Sequence, residues 1–171
     1  EIEIADKEGL CDEVEVPEHV EPKSKRGDIY KLGEHRLMCG DSTMIDDVEK
    51  LMCGEKADLW LTDPPYGVSY KSNGSEDKHD KIENDDLPLD QMADFWTSDA
   101  SNALINCTDK SSYYWFACQG GDQMMMMMMS IGRANWKVRH ELIWVKDSMV
   151  MGRCDYHYKH EPILYGWKKD G

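Results

Sequence analysis

A short run, ADLWLT at residues 57–62, ends abruptly at an acid and two prolines. A short, mostly apolar run bounded by turn-forming residues is typical of a central strand buried on both faces of a sheet. The next residues cannot extend the strand, since proline lacks the N–H that a sheet ladder requires. The pattern predicts a buried strand that stops at Asp63.

Strand and helix patterns precede this run. Residues 28–41 (DIYKLGEHRLMCGD) predict two short strands around a glycine turn, with Ile29, Leu37 and Cys39 facing inward. The next two residues, Ser and Thr at positions 42 and 43, are predicted to cap a helix that runs to Met52.

Strand and helix patterns also alternate after the run. Residues 89–107 place apolar side chains near a 3.6-residue period, which predicts a helix. The remaining segments predict a strand, a methionine-rich buried helix and two final strands, in the order SSYYWFACQ, DQMMMMMMSIGRANW, WKVRHELIWVKD and HEPILYGWKK. The order indicates an α/β fold with a mostly parallel sheet and an antiparallel final strand pair.

The acidic charge is unevenly distributed. A formal net charge of −14 at first argues against a nucleic-acid partner, because phosphate binding needs clustered Lys and Arg. However, residues 1–21 hold nine acids and one lysine, and residues 76–94 hold eight acids and two lysines. Residues 131–171 hold eight basic residues and five acids. The C-terminal quarter of the chain can therefore face a polyanion.

Composition also suggests how the chain is organised. Residues 1–26 are acidic, contain proline and lack aromatic side chains, so we expect a flexible linker before an ordered domain at 27–171. No apolar run approaches the length of a membrane span and no signal peptide is evident, which predicts a cytoplasmic protein without membrane contact. We expect no metal, since Cys154, His157 and His160 lack a fourth ligand.

The DPPY stretch has the chemistry of an amine receptor. Ligands of open parallel sheets bind beyond the carboxyl ends of the strands, where Asp63 is predicted to lie. The two prolines keep the backbone extended, so we expect their carbonyls to project outward as acceptors, with the ring of Tyr66 beside them. An exocyclic amine that donates to Asp63 and to the Pro64 carbonyl could pyramidalise and aim its lone pair at an electrophile.

Four segments in this order resemble the motifs of amino-group DNA methyltransferases, most of all those that modify adenine N6: LMCGDS, LTDPPYG, LIWVKD and HEPILYGWKK. The resemblance spans about residues 27–169. It implies a Rossmann-like methyltransferase sheet, S-adenosylmethionine as the cofactor, double-stranded DNA with a flipped base as the partner, and a dimer as one allowed assembly.

The resemblance also implies roles for individual residues. Asp63, Pro64, Pro65 and Tyr66 match the catalytic motif, in which the tyrosine stacks on the extruded base. Stacking on an aromatic ring contributes about 1–3 kcal/mol, comparable to the few kcal/mol that flipping costs. Asp41 matches a position near the adenosyl end of the cofactor, and Asp63 and Pro64 border the same cofactor site.

The base pocket is implied to include residues from the final strand. His160, Glu161 and Pro162 match a motif that lines this pocket, and Tyr158 lies just before it. We therefore expect substrate contacts from Tyr66, Tyr158, His160 and Glu161.

The sequence departs from the family in one respect. The glycine-rich cofactor motif, of the Phe-x-Gly-x-Gly type, does not occur in these residues. The resemblance then implies the permuted motif order, in which that motif and the target-recognition region come after DPPY. We expect residues 27–171 to form part of a catalytic domain, with an incomplete sheet.

Two alternatives remain open at this stage. Cytosine N4 is a chemically similar amine, although that activity more often has Ser in place of Asp63. A DNA-binding module that kept the fold without catalysis is the alternative from another class of protein.

The missing glycine-rich motif leads to a testable prediction. We expect these 171 residues by themselves to bind S-adenosylmethionine weakly and to methylate DNA little or not at all. Isothermal titration calorimetry measures the affinity directly. Tight cofactor binding by these residues would contradict the expectation.

Overall fold

The computed structural model of the chain describes residues 23–69, 82–150 and 155–168. Its elements, in chain order, are β1 (Ile29–Leu32), β2 (His35–Met38), α1 (Ile45–Met52), β3 (Ala57–Thr62), α2 (Leu89–Asn106), β4 (Cys107–Phe116), α3 (Gly121–Arg133), β5 (Lys137–Val150) and β6 (Tyr158–Trp167). The predicted α/β order of strands and helices is confirmed. Of the predicted linker, residues 1–22 lie outside the described residues.

Four strands form the main sheet, in the order β3-β4-β6-β5. β4 is parallel to β3, because helix α2 returns the chain to the same edge of the sheet. β6 runs antiparallel to both of its neighbours, β4 and β5, which confirms the antiparallel final pair. The expectation of a mostly parallel sheet is wrong for the described strands, since β6 inserts between β4 and β5.

Helices α2 and α3 pack on one face of the sheet and form the core. Met92, Trp96 and Ala100 of α2 are completely buried, as the helical period predicted. Facing them is a cluster of aromatic rings from the strands and the turn after α3. In this cluster the ring of Trp60 lies 5.0 Å from that of Trp115 and 5.6 Å from that of Trp136. Such rings bury large apolar areas and dominate core energetics.

The prediction that residues 57–62 form a central strand buried on both faces is wrong. Within the described residues β3 lies at the edge of the sheet, and the side chains of Leu59 and Leu61 are 48% and 64% exposed. Of the β3 residues, Ala57 and Trp60 pack against the core, and the register is irregular between Ala57 and Leu59. Leu61 pairs with Tyr114 across the strands, so it belongs to the sheet face opposite the core.

The N-terminal hairpin is confirmed as two antiparallel strands, but it does not contribute to the core. β1 and β2 form a separate two-stranded sheet. Ile29 is 36% and Leu37 is 58% exposed, and Cys39 is also exposed. The inward orientation predicted for these three residues is therefore wrong. The register pairs Ile29 with Met38 and Leu37 with Tyr30, so Ile29 and Leu37 lie on opposite faces of the hairpin and cannot both point to one core.

The start of α1 also differs from the prediction. The helix begins at Ile45, with Met44 as the N-cap and no side-chain cap. Thr43 does not cap the helix, because its hydroxyl donates to the carboxylate of Asp41 at 2.6 Å. Ser42 is likewise outside the capping position. The loop between β2 and α1 is thus organised around Asp41.

The methionine-rich helix α3 is only half buried. Met127 is completely buried, whereas Met125, Met128 and Met129 are 55%, 40% and 46% exposed. β5 extends to Val150, further than predicted. In the described parts of the chain, no helix combines the length and apolar character needed to cross a membrane.

Gly166 provides a test of the packing between β5 and β6. A Cβ atom at this position would lie 1.7 Å from the Lys137 carbonyl oxygen and 2.9 Å from the ring of Tyr113. We expect Gly166→Ala to lower the free energy of unfolding by at least about 3 kcal/mol, since backbone must move to admit the methyl group. Urea denaturation followed by circular dichroism measures the change.

The matched control for this substitution is Gly132→Ala. Gly132 lies in α3 with no atom near the added methyl group. Alanine is the better helix former, so the control should raise the free energy of unfolding by about 0.5–1 kcal/mol. Equal effects of the two substitutions would contradict the packing described for Gly166.

Candidate active site

The DPPY stretch and the beginning of β6 lie at the same end of the sheet. The carboxyl ends of β3, β4 and β5 and the beginning of β6 meet there, as the strand pairings require. Asp63 follows directly after β3. After β4, the Ala117 N–H donates to the Pro162 carbonyl at 3.0 Å, which joins the end of β4 to the beginning of β6.

The Tyr66 hydroxyl donates a hydrogen bond to the Asp63 carboxylate at 2.7 Å. Asp63 is exposed and Tyr66 is half-buried, so the carboxylate lies at the surface beside a partly covered ring. Burial, the bond to Asp63 and the charges of Asp63 and Glu161 raise the pKa of Tyr66 well above its usual range. The phenol therefore stays protonated and remains a donor at neutral pH.

The two prolines face different surroundings. The Pro65 carbonyl accepts a hydrogen bond from the indole Nε1 of Trp96 at 2.9 Å, and Trp96 is completely buried. The expectation that both proline carbonyls project outward is therefore wrong for Pro65, whose carbonyl points to α2. Pro64 is buried, and its role as an acceptor for an amine stays a prediction.

Asp85 contacts the backbone at the end of the DPPY stretch. Its carboxylate Oδ1 accepts hydrogen bonds from the backbone N–H groups of Tyr66 and Gly67, each at 3.0 Å. Asp85 is 3% exposed, although it belongs to an acidic segment of the kind that is usually solvated. A cavity of about 310 Å³ opens beside these residues, lined by Asp63, Pro64, Pro65, Tyr66, Val68, Ile82 and Asp85.

The residues predicted on β6 differ in how close they come to this cavity. Glu161 is near enough for its charge to raise the pKa of Tyr66, and it forms an ion pair with Lys146 of β5. The rings of Tyr158 and His160 contact each other, with centroids 5.7 Å apart. Within the described residues, no hydrogen bond or ring contact joins Tyr158 or His160 to the DPPY stretch. Their substrate roles stay predictions.

Asp41 lies at a second, smaller cavity. Its carboxylate accepts hydrogen bonds from the hydroxyl of Thr43 and, at 2.9 Å, from the guanidinium of Arg26. The bond from Thr43 is the main reason that the pKa of Asp41 is lowered, so this side chain is ionised at neutral pH. The cavity, of about 180 Å³, is lined by Met38, Gly40, Asp41, Ser42, Asp47, Val48 and Leu51.

Two buried polar residues of α2 hold the loop between β2 and α1 in place, and neither was identified from the sequence. The Asn102 side-chain amide donates to the Ser42 carbonyl at 2.8 Å. The Asp99 carboxyl group hydrogen-bonds with the Ser42 side chain, and Asp99 is only 6% exposed. Burial raises the pKa of Asp99 to about 6, with a further contribution from the charge of Asp41.

The thiol of Cys118 also lies near this end of the sheet, but it is not suited to nucleophilic catalysis. Cys118 is buried after β4, and burial raises the pKa of its thiol, so the nucleophilic thiolate is disfavoured. Among residues 23–69, 82–150 and 155–168, no three His, Cys, Asp or Glu side chains are grouped to hold a metal ion. Cys154 lies outside the described residues.

Comparison with known proteins identifies the family. The model of a DNA methylase family, N6_N4_Mtase, matches residues 57–171, which is more than half of the chain. The chain belongs to this DNA methylase family. No curated protein matches its sequence.

The solved structures to which the chain is similar are distant in sequence. The DNA methylase chain is similar to M1.HpyAVI, at 16% identity with a TM-score of 0.48, covering 75% of this chain and 54% of that one. A complex of M1.HpyAVI with SAM gives 16% identity and a TM-score of 0.43, with 69% and 47% covered.

A candidate DNA modification methylase from Thermus thermophilus gives 14% identity and a TM-score of 0.47, with 77% of this chain and 52% of that one covered. This methylase chain thus spans about half the length of the solved structures that it matches.

The buried Asp99 makes the stability of this methylase chain depend on pH. Its folded-state pKa of about 6 lies above the ordinary value of 3.8, so the folded state binds the proton more tightly than the unfolded state. The stability contributed by this proton is fully present below about pH 4 and is lost as the pH rises through 6. We expect Asp99→Asn to raise the free energy of unfolding at pH 7.5 by about 1–3 kcal/mol.

Urea denaturation at pH 4 and at pH 7.5 measures this effect. The difference between wild type and variant should shrink at the lower pH, where the native carboxyl group is neutral. The control is Asp94→Asn, an exposed position on the same helix, which should change stability little at either pH. An Asp99→Asn variant that is less stable at pH 7.5 would contradict the expectation.

Proposed function

We propose that this chain provides the amine-binding part of a DNA methyltransferase that transfers the methyl group of S-adenosylmethionine to the N6 amine of adenine. The supporting observation is the hydrogen bond from the Tyr66 hydroxyl to the exposed Asp63 carboxylate, at the rim of a 310 Å³ cavity. The Tyr66 phenol, a donor attached to an aromatic ring, already bonds to the Asp63 carboxylate. An adenine amine is a donor of the same kind.

In the proposed reaction, Asp63 accepts one N–H of the amine and the Pro64 carbonyl accepts the other. These bonds favour the pyramidal nitrogen, whose lone pair is then available for the methyl group. The methyl donor, when bound, would supply the carbon that this nitrogen takes up and would keep the electron pair of its carbon–sulfur bond. The nitrogen then carries a surplus proton, which Asp63 can accept and release to water because its side chain is exposed.

Tyr66 has two tasks in this proposal. Its ring covers one face of the flipped base, which offsets part of the cost of extrusion from the duplex. Its hydroxyl must leave Asp63 when the amine arrives. A single residue thereby holds the carboxylate in the absence of the base and stacks on the base once it has entered.

S-adenosylmethionine would supply the electrophilic methyl group. The ionised Asp41 carboxylate fits the hydroxyl and amine donors of this cofactor, and Asp63 and Pro64 would border the methyl end. The cavity at Asp41 is smaller than the roughly 300–1,000 Å³ that encloses a complete ligand. We propose that these residues form only part of the cofactor site, in agreement with the absence of a glycine-rich motif from the sequence.

Cytosine N4 is the second candidate for the accepting amine. The geometry at Asp63 and Tyr66 suits either base, because both amines are conjugated to a heteroaromatic ring. The family that matches residues 57–171 includes both activities in its designation. We favour adenine because an aspartate precedes the two prolines in this chain.

The test is methylation of DNA by the protein expressed from its complete gene, with the treated DNA digested to nucleosides and measured by mass spectrometry. We expect N6-methyladenine. Asp63→Ala should reduce methylation by at least about a hundredfold, since it removes the acceptor that stabilises the reacting amine.

The matched control is Asp94→Ala, an exposed acid on α2 away from the cavity, which should leave the rate unchanged. N4-methylcytosine as the product would show that the second candidate is right. Unchanged methylation by the Asp63→Ala protein would overturn the proposal and favour a DNA-binding module without catalysis at this site.

A further inference from the structure

Asp85 lies in the turn before α2 and is 3% exposed. Besides the bonds that its Oδ1 accepts from Tyr66 and Gly67, the N–H of Val68 points to the same oxygen at 3.4 Å. The backbone carbonyl of Asp85 accepts the next N–H, that of Ser69, at 2.8 Å. Four consecutive N–H groups after the two prolines are therefore directed to one residue.

The backbone conformation explains why these N–H groups converge. Gly67 has a φ of +71° and Ser69 a φ of 51°, both in the left-handed region. Successive N–H groups in such a turn form a concave site for an anion. Here a carboxylate of the same chain fills that site. Hydrogen bonds to a charged acceptor are about twice as strong as neutral ones, which suits a buried carboxylate.

The peptide unit between Pro65 and Tyr66 is held at both of its polar ends. Its carbonyl oxygen, on Pro65, accepts from the Trp96 indole at 2.9 Å. Its N–H, on Tyr66, donates to Asp85 at 3.0 Å. These two bonds fix the plane of this peptide, and hence the direction in which the Tyr66 side chain leaves the backbone.

This constraint is transmitted to the proposed reacting groups. The Tyr66 ring lines the cavity, and its hydroxyl reaches the Asp63 carboxylate. A rotation of the peptide between Pro65 and Tyr66 would move the stacking ring and, through its hydroxyl, disturb the bond to the Asp63 carboxylate. A displacement of about 1 Å in a positioned group can reduce a rate by about a hundredfold.

We propose that Asp85 is a positioning residue for methyl transfer, which orients Tyr66, and through the Tyr66 hydroxyl the Asp63 carboxylate, by way of the backbone N–H groups of residues 66–68. This inference rests on the proposed function. Asp85 acts through the backbone and need not touch the base. Loss of its carboxylate should therefore lower kcat much more than it raises the KM for DNA or for S-adenosylmethionine.

The kinetic test compares Asp85→Ala, Asp85→Asn and the control Asp94→Ala in the protein expressed from its complete gene. We expect Asp85→Ala to lower kcat about a hundredfold, with either KM changed less than about threefold. Asp85→Asn keeps one oxygen that can accept the N–H groups, so it should restore kcat to within about tenfold of wild type. The control should match wild type.

The hydrogen bonds from the N–H groups of residues 66–68 to Asp85 form a backbone clamp, which a spectroscopic measurement tests without substrate and independently of the reaction. Amide protons bonded to a carboxylate resonate downfield, so the Tyr66 and Gly67 amide signals should shift upfield in Asp85→Ala and partly return in Asp85→Asn. If Asp85→Ala fails to fold, Asp85→Glu replaces it. The longer side chain keeps the charge but displaces the oxygen, and we expect the same loss of kcat.

Several results would overturn the inference. One is a folded Asp85→Ala protein with unchanged kcat, and another is an unchanged pair of amide signals. A folded Asp85→Asn protein as slow as Asp85→Ala would assign the carboxylate a direct chemical role instead. If the wild-type protein methylates no base while the amide shifts appear as expected, the proposed function fails but the backbone clamp is retained.

Discussion

The indole of Trp96 connects the hydrophobic core to the candidate active site. Its ring is completely buried between α2 and the sheet, while its N–H donates to the Pro65 carbonyl. A buried indole N–H needs an acceptor, and a proline carbonyl held in a stiff segment is a well-defined one. The packing that stabilises the fold therefore also fixes the segment that carries the proposed chemistry.

Helix α2 extends this connection to the second loop. Further along the helix from Trp96, Asp99 and Asn102 contact Ser42, beside the Asp41 carboxylate. The same helix therefore holds the loop after β3 and the loop after β2. Both loops would have to be placed correctly for an amine and a cofactor to meet, and a rigid helix with both contacts couples their positions.

Much of the fold was predictable from the sequence, because the helical period of α2 and the proline stop after β3 are local signals. The exposure of one face of β3 was not predictable, because apolar composition does not reveal which face of a sheet is covered. Leu59 and Leu61 are apolar but exposed, and they belong to the face away from the helices. The orientation of the Pro65 carbonyl depended on a partner 31 residues away.

Two buried acidic residues could not be identified from the sequence. Asp85 and Asp99 were part of an acidic or amphipathic pattern that usually indicates solvent, yet both are buried. What places them inside is a set of N–H or O–H donors supplied by distant loops, which no local window of sequence contains. By contrast, the DPPY residues themselves were found because their chemistry is concentrated in four adjacent positions.

The contact between Tyr66 and Asp63 has a consequence for selectivity. The phenol already donates to Oδ1 of the carboxylate. An incoming donor that takes this oxygen therefore gains only the difference between two similar hydrogen bonds. A water molecule would gain little from such an exchange. In the proposed reaction a planar base would gain more, since it could also stack on the ring whose hydroxyl it displaces, and the site would then select by shape as well as by charge.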